Sequence, residues 1–350
     1  MILLPNYLKI NIMIYVVIVF LWTSILLYIL LGGADFGAGI IELFTSKGNR
    51  SKTRKTMYEA IGPIWEANHM WLIIAIVILF VGFPKIYTTV SIYLHIPLVC
   101  MLLGIIARGT AFVFRNYDAV KDDMQKVYTP IFIYSSLITP FFLGIIAASS
   151  VSGQIDVQAQ DFLSAYVFSW LNWFSVSVGV FTVSICGFLA TIFIIGQAAD
   201  DDRSFFIGKA RRTIYTVMFC GALVFVAAYH ENIPLASWIF GDTLGLTAII
   251  AASISLIIMF FLLQRKKPIL LRLLAGFQVA MILFAATYSH FPDIVLLKNG
   301  ANLSLLTHQG QAKAIDTLGY ALLIGSIFIL PALGYLIYIF QQKKEVQEAH

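Results

Sequence analysis

Long charge-free runs separated by short charged segments are the dominant pattern of this chain. The runs are Met13–Gly33, Ala67–Pro84, Ile86–Ala107, Tyr128–Ile155, Phe162–Ala199, Thr213–His230, Thr243–Gln264, Leu273–Pro292 and Thr317–Gln342. Most have about the 20 residues a helix needs to cross a hydrocarbon core of about 30 Å. An outer-membrane barrel would alternate apolar and polar positions in segments of about 10 residues. These runs do not alternate. Phe162–Ala199 is too long for one plain crossing and too short for two with a turn, so it predicts one helix extending beyond the bilayer. The first run is too long for a signal peptide, and MILLPNYLKINIM offers neither a basic n-region nor a small-residue cleavage site. It reads as a retained helix. The expected fold is an all-α polytopic membrane protein with nine transmembrane helices.

The basic residues count the spans independently. The loops after spans one, three, five and seven, with the C-terminal tail, hold 19 of the 23 Lys and Arg residues; Lys9, Lys85, Lys298 and Lys313 are on the other side. The positive-inside rule then puts the N-terminus outside and the C-terminus in the cytoplasm, which requires an odd number of spans. Composition agrees. Apolar residues make up 60% of the 350 and charged residues 12%, against about 25% charged in a soluble domain. The linkers are short, so residues 1–350 form a single integral membrane domain. LGGADFGAG after span one and IGQAADDDR after span five each lead into basic residues. The similarity predicts a pseudo-repeat, 1–155 and 156–292, arranged as two four-helix bundles with a peripheral ninth helix at 317–342. The outer loop Asp293–Asp316 contains the polar stretch KNGANLSLLTHQGQAK and is expected to be partly structured.

Candidate chemistry lies in residues that lipid disfavours. No basic stripe interleaved with aromatics suits a nucleic acid. Cys100, Cys186 and Cys220 sit inside apolar runs without a CxxC, so they read as packing residues, and no metal site is expected. An intramembrane carboxylate costs roughly 2.5–3.5 kcal/mol on insertion scales and is expected to face protein or water. Four acids lie near span edges: Asp35, Glu42, Glu59 and Glu66. Asp35 sits in GGADFGAG at the inner end of span one, either solvated at a helix C-terminus or sheltered by close-packed neighbours. AIGPIWEANHMWLI starts or bends the second span at Gly62–Pro63. Trp65, Asn68 and His69 share a stripe there, with Glu66 adjoining His69 at i+3 and Trp71 close by. The cluster is either an interfacial belt or a buried proton-accepting site. No two histidines share a depth suitable for bis-histidine haem ligation. Arg108 and Arg115 lie seven residues apart on one helix face. They are either cytoplasmic anchors or partners for an anion such as a propionate or the intramembrane carboxylates.

GGADFGAG, its basic loop, GPIWEANHMWLI, LFVGFP and LLGIIARGTAFVFR together resemble the N-terminal half of subunit II of bacterial cytochrome bd-type quinol oxidases. The second half is similar in length, span count and hydropathy only. The resemblance implies nine spans with the N-terminus outside, in the bacterial cytoplasmic membrane. It implies a heterodimer whose subunit I carries haem b, haem d and the quinol-oxidising loop, while subunit II ligates no haem and is inactive alone. Some members hold a structural quinone, and a small accessory subunit fits the same scheme. The implied reaction is quinol-driven reduction of dioxygen to water, with subunit II delivering cytoplasmic protons. By motif position Asp35 and Glu66 are the acidic stations, Glu66 standing where many members have Asp. Trp65, Asn68, His69, Trp71, Arg108 and Arg115 form the supporting polar cluster and subunit interface. The alternative is a proton-coupled secondary transporter, which would need broken helices near the midplane in both halves.

Overall fold

A computed structural model describes residues 12–62, 65–117, 122–196, 198, 200–265 and 267–348; at 59–61, 66, 116–117, 122–123, 200–201 and 336–348 it describes the backbone alone. The chain is helical nearly throughout. Among the described residues eight helices are long and apolar enough to cross a membrane, or nine if a bent pair counts as one span.

The first span is longer than its charge-free run. α1 (Ile12–Leu27) passes through a π-helical turn, Tyr28–Gly32, straight into α2 (Gly33–Leu43). GGADFGAG therefore lies inside a helix, where the sequence placed an end. Its glycines are explained by packing: a Cβ on Gly37 would overlap the Cys186 carbonyl, and one on Gly39 would overlap Ser136 Oγ. Small residues let the backbones meet. The basic loop is itself a helix, α3 (Lys47–Ile61).

α4 (Trp65–Gly82) and α5 (Pro84–Tyr93) form the bent pair, with an angle of 114° between them. Phe83 leaves helical geometry (φ −137°, ψ 59°) and Pro84 opens α5 at its first position, where a missing N–H costs nothing. A second break at Leu94 starts α6 (His95–Tyr117). The third span thus begins near His95, about two and a half turns beyond the sequence estimate of Ile86. The beginning of the second span was placed at Gly62–Pro63; Pro63 lies outside the described residues.

α7 (Asp122–Val151) follows. The run Phe162–Ala199 is not one extended helix, contrary to its hydropathy. It comprises α8 (Phe162–Tyr166), a turn, and α9 (Trp173–Ile195). Two N-caps divide it: Asp161 accepts from Ser164 N at 2.8 Å and Asn172 accepts from Ser175 N at 2.8 Å. Such caps satisfy helix-start N–H groups and fix boundaries that hydropathy does not register. Then come α10 (Asp200–His230), α11 (Leu235–Phe240), α12 (Thr243–Leu262), α13 (Pro268–Thr287) and α14 (Ala312–Glu348).

The outer segment between α13 and α14 is structured, as expected. β1 (Asp293–Val295) pairs antiparallel with β2 (Leu303–Ser304), Asp293 opposite Ser304 and Val295 opposite Leu303. Backbone bonds from Leu296 N to Ser150 O (2.8 Å) and Gly310 N to Gly82 O (2.7 Å) dock it on α7 and α4. One apolar core joins α2, α9, α10, α12 and α13; another joins α1, α4, α14 and this segment. Exposed residues such as Phe261, Ile327 and Phe328 ring the exterior, as lipid-facing surface requires.

Candidate functional site

α2 carries Asp35 and Glu42, seven residues apart. α6 carries Arg108 and Arg115 at the same spacing. Seven residues are two helical turns, about 10 Å, so two carboxylates meet two guanidiniums in successive layers. The pairing order, Asp35 with Arg108 and Glu42 with Arg115, makes α2 and α6 run in the same direction.

In the first layer Asp35 is 0% exposed and Arg108 1%. Arg108 Nη1 donates to Asp35 Oδ2 at 2.6 Å and Nη2 to Oδ1 at 2.8 Å, the bidentate fork that only arginine provides. Nη2 also donates to the Asp35 carbonyl at 2.7 Å, and Nε to Ser136 Oγ on α7 at 3.0 Å. Phe36 and Phe132 flank the guanidinium, with ring centres 5.1 and 4.9 Å away. A buried charge needs such complete pairing, because removing water from it costs several kcal/mol. Asp35 is therefore sheltered by close-packed neighbours, and the solvated C-terminal reading does not hold.

In the second layer Glu42, 1% exposed, accepts from Arg115 Nη1 at 3.0 Å and from Arg54 Nε and Nη2 at 2.9 and 2.7 Å. Arg115 lies over Phe132 at 4.1 Å, so that one ring separates the two layers. Arg54 belongs to α3, and its bond ties the basic helix to the bundle.

α4 closes the first layer. His69 Nε2 is 3.8 Å from Asp35 Oδ2, too long for a hydrogen bond and within electrostatic reach. Its ring is packed among Tyr28 (6.2 Å), Phe36 (5.9 Å) and Trp65 (6.5 Å), while Trp65 packs at a tilt of 45° against Phe112, ring centres 4.8 Å apart. Asn68 is 2% and Trp71 6% exposed. Among the described residues, the buried polar atoms Ser24 Oγ, Tyr28 Oη, His69 Nδ1 and Trp71 Nε1 have no hydrogen-bond partner. The Glu66 side chain lies outside the described residues; its backbone opens α4.

The structure thus joins Asp35, Arg108, Trp65 and His69 in one buried locus, with Asn68 and Trp71 buried on the same helix as His69. Arg115 sits one layer away. Sequence reasoning named Glu42 without giving it a role, and it missed Arg54, Ser136 and Phe132. The matched seven-residue spacing on two helices was the available signal for Glu42. Ser136 and Phe132 had none, since apolar-helix serines and phenylalanines are common.

The described histidines have separate surroundings. His69 faces Asp35, His95 Nδ1 bonds Ile92 O at 2.8 Å, and His230 is exposed. His290 packs on Trp238 at 4.0 Å, and His308 Nδ1 accepts from Ser304 N at 3.1 Å. Among the described residues no three of His, Cys, Asp and Glu gather as a metal site.

Comparison with known proteins bears on this arrangement. The family model for cytochrome bd terminal oxidase subunit II matches residues 13–340. Cytochrome bd ubiquinol oxidase subunit 2 of Bacillus subtilis (strain 168) is 26% identical over 328 residues, 92% of this chain and 94% of the relative. Cytochrome bd-I ubiquinol oxidase subunit 2 of Escherichia coli (strain K12) is 25% identical over 179 residues, 49% of this chain and 46% of that one. The bd oxidase structure from Geobacillus thermodenitrificans shares the fold, with a TM-score of 0.75 at 20% identity, covering 94% of this chain and 98% of that one. A secondary-transporter identity is thereby displaced. The chain belongs to the cytochrome bd terminal oxidase subunit II family, multi-pass proteins of the bacterial cytoplasmic membrane and parts of an oxidoreductase complex.

Proposed function

We propose that this chain is the subunit of a quinol:oxygen oxidoreductase that ligates no haem. It supports a haem-bearing subunit I and delivers cytoplasmic protons to it for quinol-driven reduction of dioxygen to water. The observation that carries the reading is Asp35, a fully buried carboxylate held between Arg108 and His69. The haems, bound in the partner, would supply the oxygen chemistry. This chain's own residues hold and move protons.

The bidentate fork of Arg108 occupies both carboxylate oxygens of Asp35. A proton reaches Oδ2 only as that bond loosens, and Ser136 with the two flanking rings keeps the guanidinium in place meanwhile. His69, 3.8 Å from Oδ2, is the next acceptor once the carboxyl turns toward it. Glu66 is three residues before His69 at the opening of α4 and is the second acidic station. Glu42, locked by two arginines, fixes the layer beneath and keeps α3 against the bundle.

The same reading gives nine crossings. α4 alone, at 18 residues, spans about 27 Å, so α5 lies across the outer face. The parallel order of α2 and α6 agrees with spans one and three both pointing inward. Residues 1–350 form one membrane domain of two related four-helix units plus α14. Reporter fusions after Lys55, Lys126, Arg212 and Lys267 should read as cytoplasmic, and those after Lys85, Asp156, Glu231 and Lys313 as outside; one reversed loop breaks this topology.

The function is tested by turnover per haem in the purified complex. Glu66→Gln keeps size and hydrogen bonding without a titratable group. It should slow quinol oxidation at unchanged haem content, and Glu66→Asp should retain much of the activity. Normal turnover in Glu66→Gln would remove Glu66 from the proton path.

A further inference from the structure

α2 ends at Leu43, and Phe44, Thr45 and Ser46 lead into α3. The first turns of α10 face this corner across a cavity of about 420 Å³. Its polar lining is Thr45, Ser46, Ser204, Lys209 and Arg212, all hydroxyls or cations, with no carboxylate among them.

Among the described side chains, the acids on the flanking helices are already engaged. Asp202 pairs with Lys52, and Glu42 with Arg54 and Arg115. Among the described residues neither Lys209 nor Arg212 is in an ion pair. Lys209 Nζ donates to Thr45 Oγ1, whose own hydrogen goes to Ile41 O, and Lys209 also sits 5.1 Å from the Phe205 ring. An ammonium has three N–H donors, so two remain for a ligand. The Arg212 guanidinium is exposed. Ser46 is the N-cap of the 15-residue helix α3 and makes no capping bond with its side chain. Its Oγ accepts from Asn49 Nδ2 at 3.5 Å, and Ser46 lines the cavity at the positive end of that helix.

The lining requires an acceptor with several negative oxygens, and a phosphate supplies them in the geometry that an arginine fork and a lysine bind. Two features place its source in the membrane. Lys209 and Arg212 directly precede the charge-free stretch of α10 that starts at Thr213, so they lie at the lipid surface. Phe44, at the rim, is 74% exposed. Basic pockets between helices on the cytoplasmic side suit anionic headgroups.

We propose that this cavity binds the phosphate headgroup of an anionic phospholipid. Lys209 and Arg212 hold the phosphate oxygens, Ser46 and Ser204 donate around them, and Phe44 lies against the acyl chains. The site is separate from the Asp35 locus and does not depend on proton delivery.

The test uses the delipidated oxidase complex in detergent, titrated with phosphatidylglycerol, phosphatidylcholine or inorganic phosphate and read by native mass spectrometry. Phosphatidylglycerol should be retained as one bound lipid in clear preference to phosphatidylcholine. Replacing both cations, K209Q with R212Q, removes two charge-assisted bonds and should weaken retention about tenfold or more. A Cβ at Gly208 would meet nothing within 4 Å. Gly208→Ala should therefore leave both folding and lipid retention intact, while Gly208→Glu places a carboxylate in the cavity and should abolish retention. Equal retention by wild type and the double variant would overturn the proposal. So would equal retention of the two lipids, or binding of inorganic phosphate with none of phosphatidylglycerol, which would assign the cavity to a free anion.

Discussion

The seam of α2, α6 and α7 and the seam of α9, α10, α12 and α13 solve one packing problem with different chemistry. The first buries two carboxylates and two guanidiniums in layers. The second is held by neutral groups: Thr191 Oγ1 meets Thr213 Oγ1 at 2.9 Å, and Gln278 Nε2 donates to Ala252 O at 2.6 Å and Ser255 Oγ at 2.8 Å. Arg272, a partly buried cation of this seam, donates to the Phe193 carbonyl at 3.0 Å and is in no ion pair among the described residues. Close helix packing in this protein therefore does not require buried ion pairs. A buried carboxylate adds one capacity that neutral bonds lack, that of taking and releasing a proton, and the proposed delivery of protons would use it.

The largest effect should follow from breaking the first layer. Arg108→Leu strands Asp35 without its counter-charge, at a cost of about 3–5 kcal/mol, and the yield and thermal midpoint of the assembled complex should fall sharply. Asp35→Leu with Arg108→Leu removes both charges and should recover assembly while turnover per haem stays low. A double variant as unstable as the single one would mean that the pair is needed for packing after all, and the contrast between the seams would fail.

Glycine substitutions probe the backbone approach that both seams share. Gly37→Ala forces α2 away from the Cys186 carbonyl and should cost about 1–3 kcal/mol. Gly187→Ala, on α9, would meet Ile40 Cγ2 at an ordinary 3.6 Å. It should be neutral or slightly stabilising, since glycine is about 1 kcal/mol worse than alanine within a helix. Thermal midpoints of the two variants measured side by side decide whether α2 and α9 touch as closely as described.

The smallest effect is expected in the neutral seam. Gln278→Leu removes two interhelical bonds, each worth about 0.6 kcal/mol on average within membranes. The midpoint should shift slightly and turnover per haem should not change. A clear loss of turnover at full haem content would extend the chemistry into the second half of the chain.

Most of the apolar spans were legible in the sequence because lipid imposes a composition on whatever faces it, and hydropathy records that residue by residue. Asp35 and the Trp65–Trp71 motif were legible for the related reason that polar groups stand out against an apolar background. Helix breaks were less so. Asn172 ended the apparent long helix through one side-chain hydrogen bond, and the turn at Phe83 and Pro84 moved the third span to His95. Neither event changes mean hydropathy.

What the sequence by itself determined is which residues must leave the lipid, and in what order along the chain. What only the tertiary structure decided is where each of them goes. Asp35 could have been solvated at a helix end; the π-turn carried α1 on into α2 and buried it instead. Arg108 read equally well as a surface anchor, and it became the partner of Asp35 because Gly37 and Gly39 let α2 settle against α9 and α7, where Ser136 and Phe132 hold the guanidinium. Glu42 acquired Arg54 and Arg115 through contacts 12 and 73 residues away in the chain. A burial requirement is a property of one side chain in its solvent and can be read locally. The pairing that meets it depends on which helices pack together, and that is a property of the whole fold.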